Sequence, residues 1–412
     1  MARILVIGGS LGGLMAANML HRSGHDVTLL EKATGSLDGR GAGIVTHRPL
    51  VTALQRCGVD TLAPLGVAIN RRVVLDPAGR TVDQATIPQV LTSWSRLYAL
   101  LLAVFPAQRY VQGAAVRQVT QDASGVQVVC EDGRRFDADL LVASDGIRSA
   151  VRATLAPVVQ PVYAGYVAWR GVCDESVLSR NTLQSVFETF GFGLPADEQL
   201  IGYPVAGAGN AVAPGQRRYN FVWYRPAPDN GALQSLMTDA DGQHHPLGLP
   251  PNKVDWRHVA AARQAAREKL APQFAEILEK TAQPFLQPIY DCYSTRIAFD
   301  RMALMGDAAF VARPHVGMGV TKAAEDAMAL TDCITTHGAT AQALAAYEQL
   351  RLGAGQAAVE RARWLGAYMQ SHAQAGATAQ TLERDARQVM METAIDLSPD
   401  PTAQLEPGSI QA

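Results

Sequence analysis

The chain has 412 residues, 48% hydrophobic and 18% charged, with a formal net charge of -2. It is long enough for a large core in roughly two or three folding units, and it carries no basic field that would gather nucleic acid or acidic lipid. Cys57, Cys130, Cys173, Cys292 and Cys333 are scattered without a CxxC pair, which argues against a disulfide framework or a zinc site and for a reducing compartment.

Residues 3–7 form a short apolar run expected to be a buried parallel strand, and Leu11, Leu14, Met15 and Met19 then recur at helical spacing. Val27–Leu30 follows as a second strand, so the opening is a strand-helix-strand unit. The N-terminus runs straight into this unit without the pattern of a signal peptide, and no later apolar run reaches bilayer-spanning length. A cytoplasmic protein with small-molecule partners, no nucleic acid, no membrane and no metal is expected. Leu140–Ala143 and Met302–Met305 are two further strands, each ending in a small-residue turn. Between them, 162–172 and 219–225 alternate Val, Tyr, Trp and Phe with polar residues and predict antiparallel strands. The stretch 226–252, with His244 and His245, predicts a surface loop. Residues from Val254 onward, and again from Lys322 to about Met391, predict helices, and 398–412 a frayed tail.

Three strand-end motifs carry the chemistry. Gly8-Gly9-Ser10-Leu11-Gly12-Gly13 sits between the first strand and the first helix, where a dinucleotide fingerprint has meaning. Gly8 permits the turn, Gly13 close helix packing, and the helix N-terminus faces a pyrophosphate; Ser10 replaces the usual middle glycine. Glu31 ends the second strand, where a carboxylate accepts from ribose hydroxyls. The alternative is a plain glycine turn with an ordinary surface glutamate. Asp145-Gly146-Ile147-Arg148-Ser149-Ala150-Val151-Arg152 and Gly306-Asp307, continued by Pro314-His315-Val316-Gly317-Met318-Gly319, each place an Asp beside small residues at a strand end. Read alone, these are turns with a helix-capping Asp.

Taken in order, the three motifs resemble those of the group A flavin aromatic hydroxylases, relatives of p-hydroxybenzoate hydroxylase. Gly39–Val45, Thr92-Ser93-Trp94 and Gly165–Gly171 are most similar to the 2,6-dihydroxypyridine 3-hydroxylase branch. Two positions depart from the family pattern: Trp94 stands where many relatives carry an FAD-contacting arginine, and Thr321 where asparagine is common. The resemblance implies an α/β protein: a Rossmann-type FAD-binding domain with an inserted, mainly antiparallel β-sheet substrate domain and C-terminal helices. The expected division is 1–72, 95–160 and 285–360 for FAD, 73–94 and 161–284 for substrate, and 361–412 for a helical segment and tail.

The resemblance further implies that NADH or NADPH reduces FAD, and that O2 adds at flavin C4a to give a hydroperoxide that hydroxylates a small aromatic or N-heteroaromatic ring. It places Asp307 on the ribityl chain, Pro314, Gly317, Met318 and Gly319 at the flavin's pyrimidine end, Arg40 near the pyrophosphate or adenosine, and Asp145 and Gly146 near the pyrophosphate. His47 is the first candidate for a base or donor near the ring and His315 the second; either is equally a structural loop histidine. Tyr166, Trp169, Arg170, Tyr203, Trp223, Tyr224 and Tyr293 are candidates for an aromatic pocket, or for the core of the sheet, whereas Arg217 and Arg218 read as solvated charges at a strand end. A homodimer, an oxidase or dehydrogenase without ring oxygenation, and a non-catalytic flavin-binding protein stay open.

Overall fold

The run Arg-Ile-Leu-Val-Ile has no polar face after its first residue, so it needs cover on both sides, and a central parallel strand provides it. In the computed structural model, which describes residues 1–35, 37, 43–245, 248–370 and 385–396, Arg3–Ile7 pairs in parallel with Asp26–Leu30 on one edge and Leu140–Ala143 on the other. Val6 stands opposite both Leu29 and Val142. Met302–Leu304 continues the sheet in parallel beyond Leu140–Ala143, and Tyr110–Val111 closes the other edge. The helices Leu11–Arg22, Trp94–Ala103 and Gly319–His337 pack against this six-stranded sheet, and an antiparallel sheet of Val116–Gln121, Val126–Cys130 and Arg135–Ala138 adds Val119, Val126 and Val128 to the same core. The three motif-bearing turns follow neighbouring strands, so segments far apart in sequence meet at one sheet end.

The second sheet has nine strands, in the order Phe310–Val311, Phe285–Tyr293, Val162–Asp174, Arg218–Pro226, Gln199–Val205, Thr189–Gly193, Val67–Leu75, Thr81–Ser93 and Gly43–Thr46. Its pairs are antiparallel except Thr189–Gly193 beside Val67–Leu75. Strand alternation divides its side chains. Val167, Trp169, Tyr219, Phe221 and Trp223 face the helices Trp256–Lys269 and Pro272–Lys280, while Tyr166, Ala168, Tyr203, Val222 and Tyr224 form a separate cluster on the opposite face. Each large side chain buried there contributes about 1.5–3 kcal/mol. Because Gly43–Thr46 and all of Val67–Leu75 belong to this sheet, it reaches beyond the limit drawn at residue 73.

Several local expectations need correction. The 226–252 stretch contains a short helix, Ala232–Leu236, and a Thr238 to His244 bridge, and His245 Nε2 lies 2.9 Å from Asp239 Oδ2. The helical run after Lys322 breaks at Gly338, whose φ of 70° ends Gly319–His337 before Ala341–Gly366 begins. Arg217 is not a solvated charge: it is 6% exposed and gives Glu175 two hydrogen bonds, at 3.0 and 2.8 Å, with Glu188 as a second partner. Arg218, next along the strand, faces outward to an exposed Asp174. The residues 398–412, read as a frayed tail, lie outside the described residues. All five cysteines are free and buried.

Candidate active site

Two neighbouring cavities open at the end of the six-stranded sheet, and Trp94 lines both. The first, about 560 Å³, is bounded by Gly8, Ser10, Glu31, Ser144, Asp145 and Gly146 among others. Its glycines are sterically required at two positions. A Cβ on Gly8, whose φ is 104°, would stand 2.3 Å from Ser144 O, and one on Gly13 would stand 1.8 Å from Gly8 O. Ser10 is the N-cap of the first helix yet makes no side-chain cap bond, so the helix's opening amides remain available to an anion. Leu11 is buried and Gly12 packs near Ser144 and Ala323, so these two shape the turn from behind.

Glu31 already accepts from Gly9 N at 2.7 Å and Ala33 N at 2.8 Å, one bond to each oxygen. Each oxygen keeps lone-pair capacity toward the cavity it lines. Asp145 accepts from Ala150 N at 2.8 Å, where the helix Ala150–Leu155 begins behind its N-cap Ser149, while its second oxygen is buried without a partner among the described residues. Burial holds its carboxyl above the usual carboxylate range. Arg152 is the residue sequence reasoning passed over inside its own motif. It is buried and donates to Ala308 O at 2.8 Å and to Ile147 O, welding the second motif to the third. Arg40 lies outside the described residues.

The second cavity, about 280 Å³, has Asp307, Pro314, Gly317 and Gly319 on one side and Arg170, Tyr203, Tyr224 and Gln287 on the other. Asp307 is exposed at the cleft yet enclosed by protein beneath; burial raises its carboxyl, and Lys322 and Arg152 oppose that shift. Its carboxylate has no hydrogen bond among the described residues, so it is free to accept from a polyol. Gly317 has a φ of 64° and turns the chain into Gly319–His337, where Met318 occupies the N-cap with no side-chain cap bond. The helices Trp94–Ala103, Trp256–Lys269 and Ala341–Gly366 all carry such a cap, from Ser93, Asp255 and Thr340. The first helix and Gly319–His337 thus present uncapped N-termini at the two cavities, an arrangement suited to a diphosphate at one end and an electron-rich ring edge at the other. These residues fit FAD.

The proposed substrate residues separate by strand position. Arg170, Tyr203 and Tyr224 line the second cavity. Arg170 donates to Gln287 Oε1 at 2.6 Å, while its Nε is buried without a partner among the described residues. Burial pushes the Tyr203 hydroxyl up to about 12 and Tyr224 higher, with Arg170 opposing both shifts. Trp169 and Trp223 lie on the opposite face, under the two helices, because each is one residue out of phase with Arg170 and Tyr224. Tyr293 stands where its strand has passed the cavity, against Phe310 and Glu360. Tyr166 lies behind the wall, its hydroxyl 2.9 Å from His315 Nε2.

Neither histidine lines the ring cavity. His47 is buried at the start of Arg48–Arg56, with Nδ1 3.0 Å from Thr321 Oγ1, and burial lowers its pKa, favouring the neutral ring. His315 is fully buried, with its ring centroid 4.1 Å from that of Tyr224 and Nδ1 2.9 Å from Gln199 Oε1. Gln199 uses its amide nitrogen on Thr393 Oγ1, so its oxygen accepts and His315 Nδ1 carries the proton. Tyr166 then donates to Nε2, and His315 braces Tyr224 from behind. Gln287 and Asn220 gave no motif to read; their roles come from strand pairing, which also lets Asn220 Oδ1 accept from Gly43 N at 3.0 Å.

The chain matches the FAD binding domain family over residues 1–179 and 244–362, and an FAD binding domain-like family over 163–291. It is 32% identical over 369 residues to the 2,6-dihydroxypyridine 3-monooxygenase of Paenarthrobacter nicotinovorans, covering 89% of this chain and 91% of the relative. It is 30% identical to the aurachin C monooxygenase/isomerase of Stigmatella aurantiaca, covering 85% of each. The solved structure of 2,6-dihydroxypyridine-3-hydroxylase from Arthrobacter nicotinovorans superposes with a TM-score of 0.85 at 30% identity, covering 92% of this chain and 95% of the other. With its three motifs gathered at one cleft and these matches spanning most of its length, the chain belongs to the FAD binding domain family, among the group A flavin hydroxylases.

Proposed function

We propose that this FAD-dependent monooxygenase hydroxylates a small aromatic or N-heteroaromatic ring that already bears a hydroxyl group, with hydroxypyridines as the first class to test. NADH or NADPH is the transient reductant and O2 the co-substrate. The observation that carries the reading is the second cavity, where Arg170, Tyr203 and Tyr224 stand with Asp307, Gly317 and Gly319 around one space, so that a ring held by the first three would meet the flavin held by the others. The dihydroxypyridine in the name of the 32%-identical relative directs the choice of substrate.

Bound across the two cavities, FAD supplies hydride acceptance and oxygen activation. The amides opening the first helix would hold its pyrophosphate, with Asp145 and Gly146 beside it, Glu31 the adenosine ribose, and Asp307 the ribityl hydroxyls. The amides opening Gly319–His337 would face the pyrimidine edge. On the substrate side, Arg170 lines the cavity as a cation whose guanidinium can donate to a ring oxygen and favour its ionised form. Tyr203, like any tyrosine, is protonated at neutral pH, and its hydroxyl would also donate to that oxygen. Phe190, Ile201, Val222 and Ile289 fill the rest of the wall with apolar surface and keep water from the reacting centre. His315 acts only through Tyr224, as a positioning residue.

The five buried free cysteines support a reducing compartment such as the cytoplasm. A homodimer is the assembly that the family resemblance suggests, and light scattering reads it. The function is tested by following NADH and NADPH oxidation by the purified yellow protein with 2,6-dihydroxypyridine, hydroxybenzoates, purines and polycyclic phenols. Stimulated oxidation with an oxygenated ring product is expected from the hydroxypyridine. Reductant consumption balanced entirely by hydrogen peroxide with every ring would overturn the reading in favour of an oxidase.

A further inference from the structure

Arg72 is fully buried in the strand Val67–Leu75, yet among the described residues its hydrogen-bond partners are all neutral oxygens. Nη1 donates to Met390 O and Thr393 O, both at 2.6 Å, and Nη2 to Ala394 O at 2.9 Å; Nε and Nη2 share Gln89 Oε1. Of these acceptors, Met390 O lies in the last turn of the short helix Ala386–Glu392, Thr393 O belongs to its C-cap and Ala394 O to the residue that follows. Burying a guanidinium without a carboxylate is costly, and burial lowers its pKa to about 10. A fork of donors matched to the carbonyls around a helix C-terminus fixes that helix end in one place, which an apolar contact does not. The segment so fixed ends at the ring cavity. Ala394 lines that cavity, adopts a φ of 51°, and donates its amide to His315 O at 2.9 Å. Its methyl would stand 2.6 Å from a Cβ at Gly317, so only glycine there lets the two backbones approach.

The geometry points to the C-terminal segment Asp385–Asp396 as a wall of the ring cavity, with Ala394 as a specificity-determining residue and Arg72 as the positioning residue that seats it. This rests on the second cavity being the ring site. Asp396 adds a second tether, accepting from Arg48 N at 2.9 Å, and Gln199 reaches Thr393. The segment therefore touches the substrate sheet through Arg72 and the flavin loop through His315. A ring that fills the cavity must meet it.

The test uses the full-length FAD-loaded protein and its Arg72→Lys and Ala394→Gly variants. Trypsin cleavage at Arg387, an exposed residue of the segment, reports its seating independently of turnover. Arg72→Lys keeps the charge and loses the fork; at unchanged FAD content it should accelerate Arg387 cleavage at least tenfold and raise KM for 2,6-dihydroxypyridine at least tenfold, with kcat within threefold. In the wild type, saturating 2,6-dihydroxypyridine should slow that cleavage at least threefold. Ala394→Gly leaves the Arg72 bonds in place and removes one methyl from the wall, so kcat/KM for a bicyclic hydroxyquinoline relative to 2,6-dihydroxypyridine should rise at least threefold. Wild-type cleavage rate and KM in Arg72→Lys would overturn the seating role; an unchanged substrate ratio in Ala394→Gly would overturn the wall. If Arg72→Lys does not fold, the Ala394→Gly ratio decides. If no ring is oxygenated by the wild type, the ring-site reading fails separately, and the Arg387 cleavage comparison alone upholds or overturns the seating.

Discussion

Replacing Asp307 by Asn should move two measurements in opposite directions. The carboxyl stands in the cleft without a hydrogen bond among the described residues, and burial raises its pKa above the ordinary 3.8. Between 3.8 and the raised folded value the native state holds more protons than the unfolded chain, so stability falls as pH rises through that window. The Asn variant removes the desolvated charge, so the FAD-free protein should melt higher than the wild type at pH 7, and the difference should vanish near pH 3. With FAD the sign reverses. A hydrogen bond from a ribityl hydroxyl to a carboxylate contributes about 1.5–3 kcal/mol, so losing the charge on one such bond should weaken FAD binding roughly tenfold to a hundredfold. Calorimetric melts of the FAD-free protein and titration by flavin fluorescence read the two effects. A variant that binds FAD as tightly as the wild type would refute the role of Asp307; an FAD-free variant that melts lower would refute its electrostatics.

Arg217→Met leaves Glu175 buried with its two side-chain bonds lost, and should cost about 3 kcal/mol or more in urea unfolding; a loss under about 1 kcal/mol would restore the view of Arg217 as a surface charge. His47→Gln tests the lowered histidine pKa. The wild type should lose stability as pH falls from 6.5 through the lower folded value, because the unfolded chain takes up the proton first, and the variant should lack that slope between pH 7 and 5. Arg170→Met should retain FAD while raising KM for 2,6-dihydroxypyridine at least tenfold and increasing peroxide formed per reductant consumed; unchanged values of both would remove Arg170 from the ring site.

The dinucleotide half was legible because its signals are local: an apolar run, a glycine turn and a strand-end acid lie within one stretch of chain, and the parallel sheet follows from them. The strands Val162–Asp174 and Arg218–Pro226 were also legible from their alternation. Val67–Leu75, Thr81–Ser93 and Gln199–Val205 were not anticipated; the first two are interrupted by charged or polar residues, and although they pair with each other as a hairpin, their outer edges are paired by Thr189–Gly193 and Gly43–Thr46 from elsewhere in the chain. The same non-locality divided the aromatic candidates. Trp169 and Arg170 are adjacent in sequence, and only the sheet's placement between two layers decides which of them meets the ring. Arg72 gave no pattern at all, since three of its four partners lie more than three hundred residues away, and His315 was legible only as a loop residue because Tyr166 and Gln199, which fix its ring, are more than a hundred residues away.

The buried cysteines bear on how such an enzyme lasts. Cys57 and Cys173 are pushed up to about 12, and Cys130, Cys292 and Cys333 are raised as well, each chiefly by burial. Oxidation of a thiol proceeds through its thiolate, and none of the five holds an appreciable thiolate fraction at neutral pH. Any turnover that releases peroxide exposes the protein first to its own product. A core that stores its sulfur as shielded thiols lets the catalyst survive its own misfires without sacrificing a side chain.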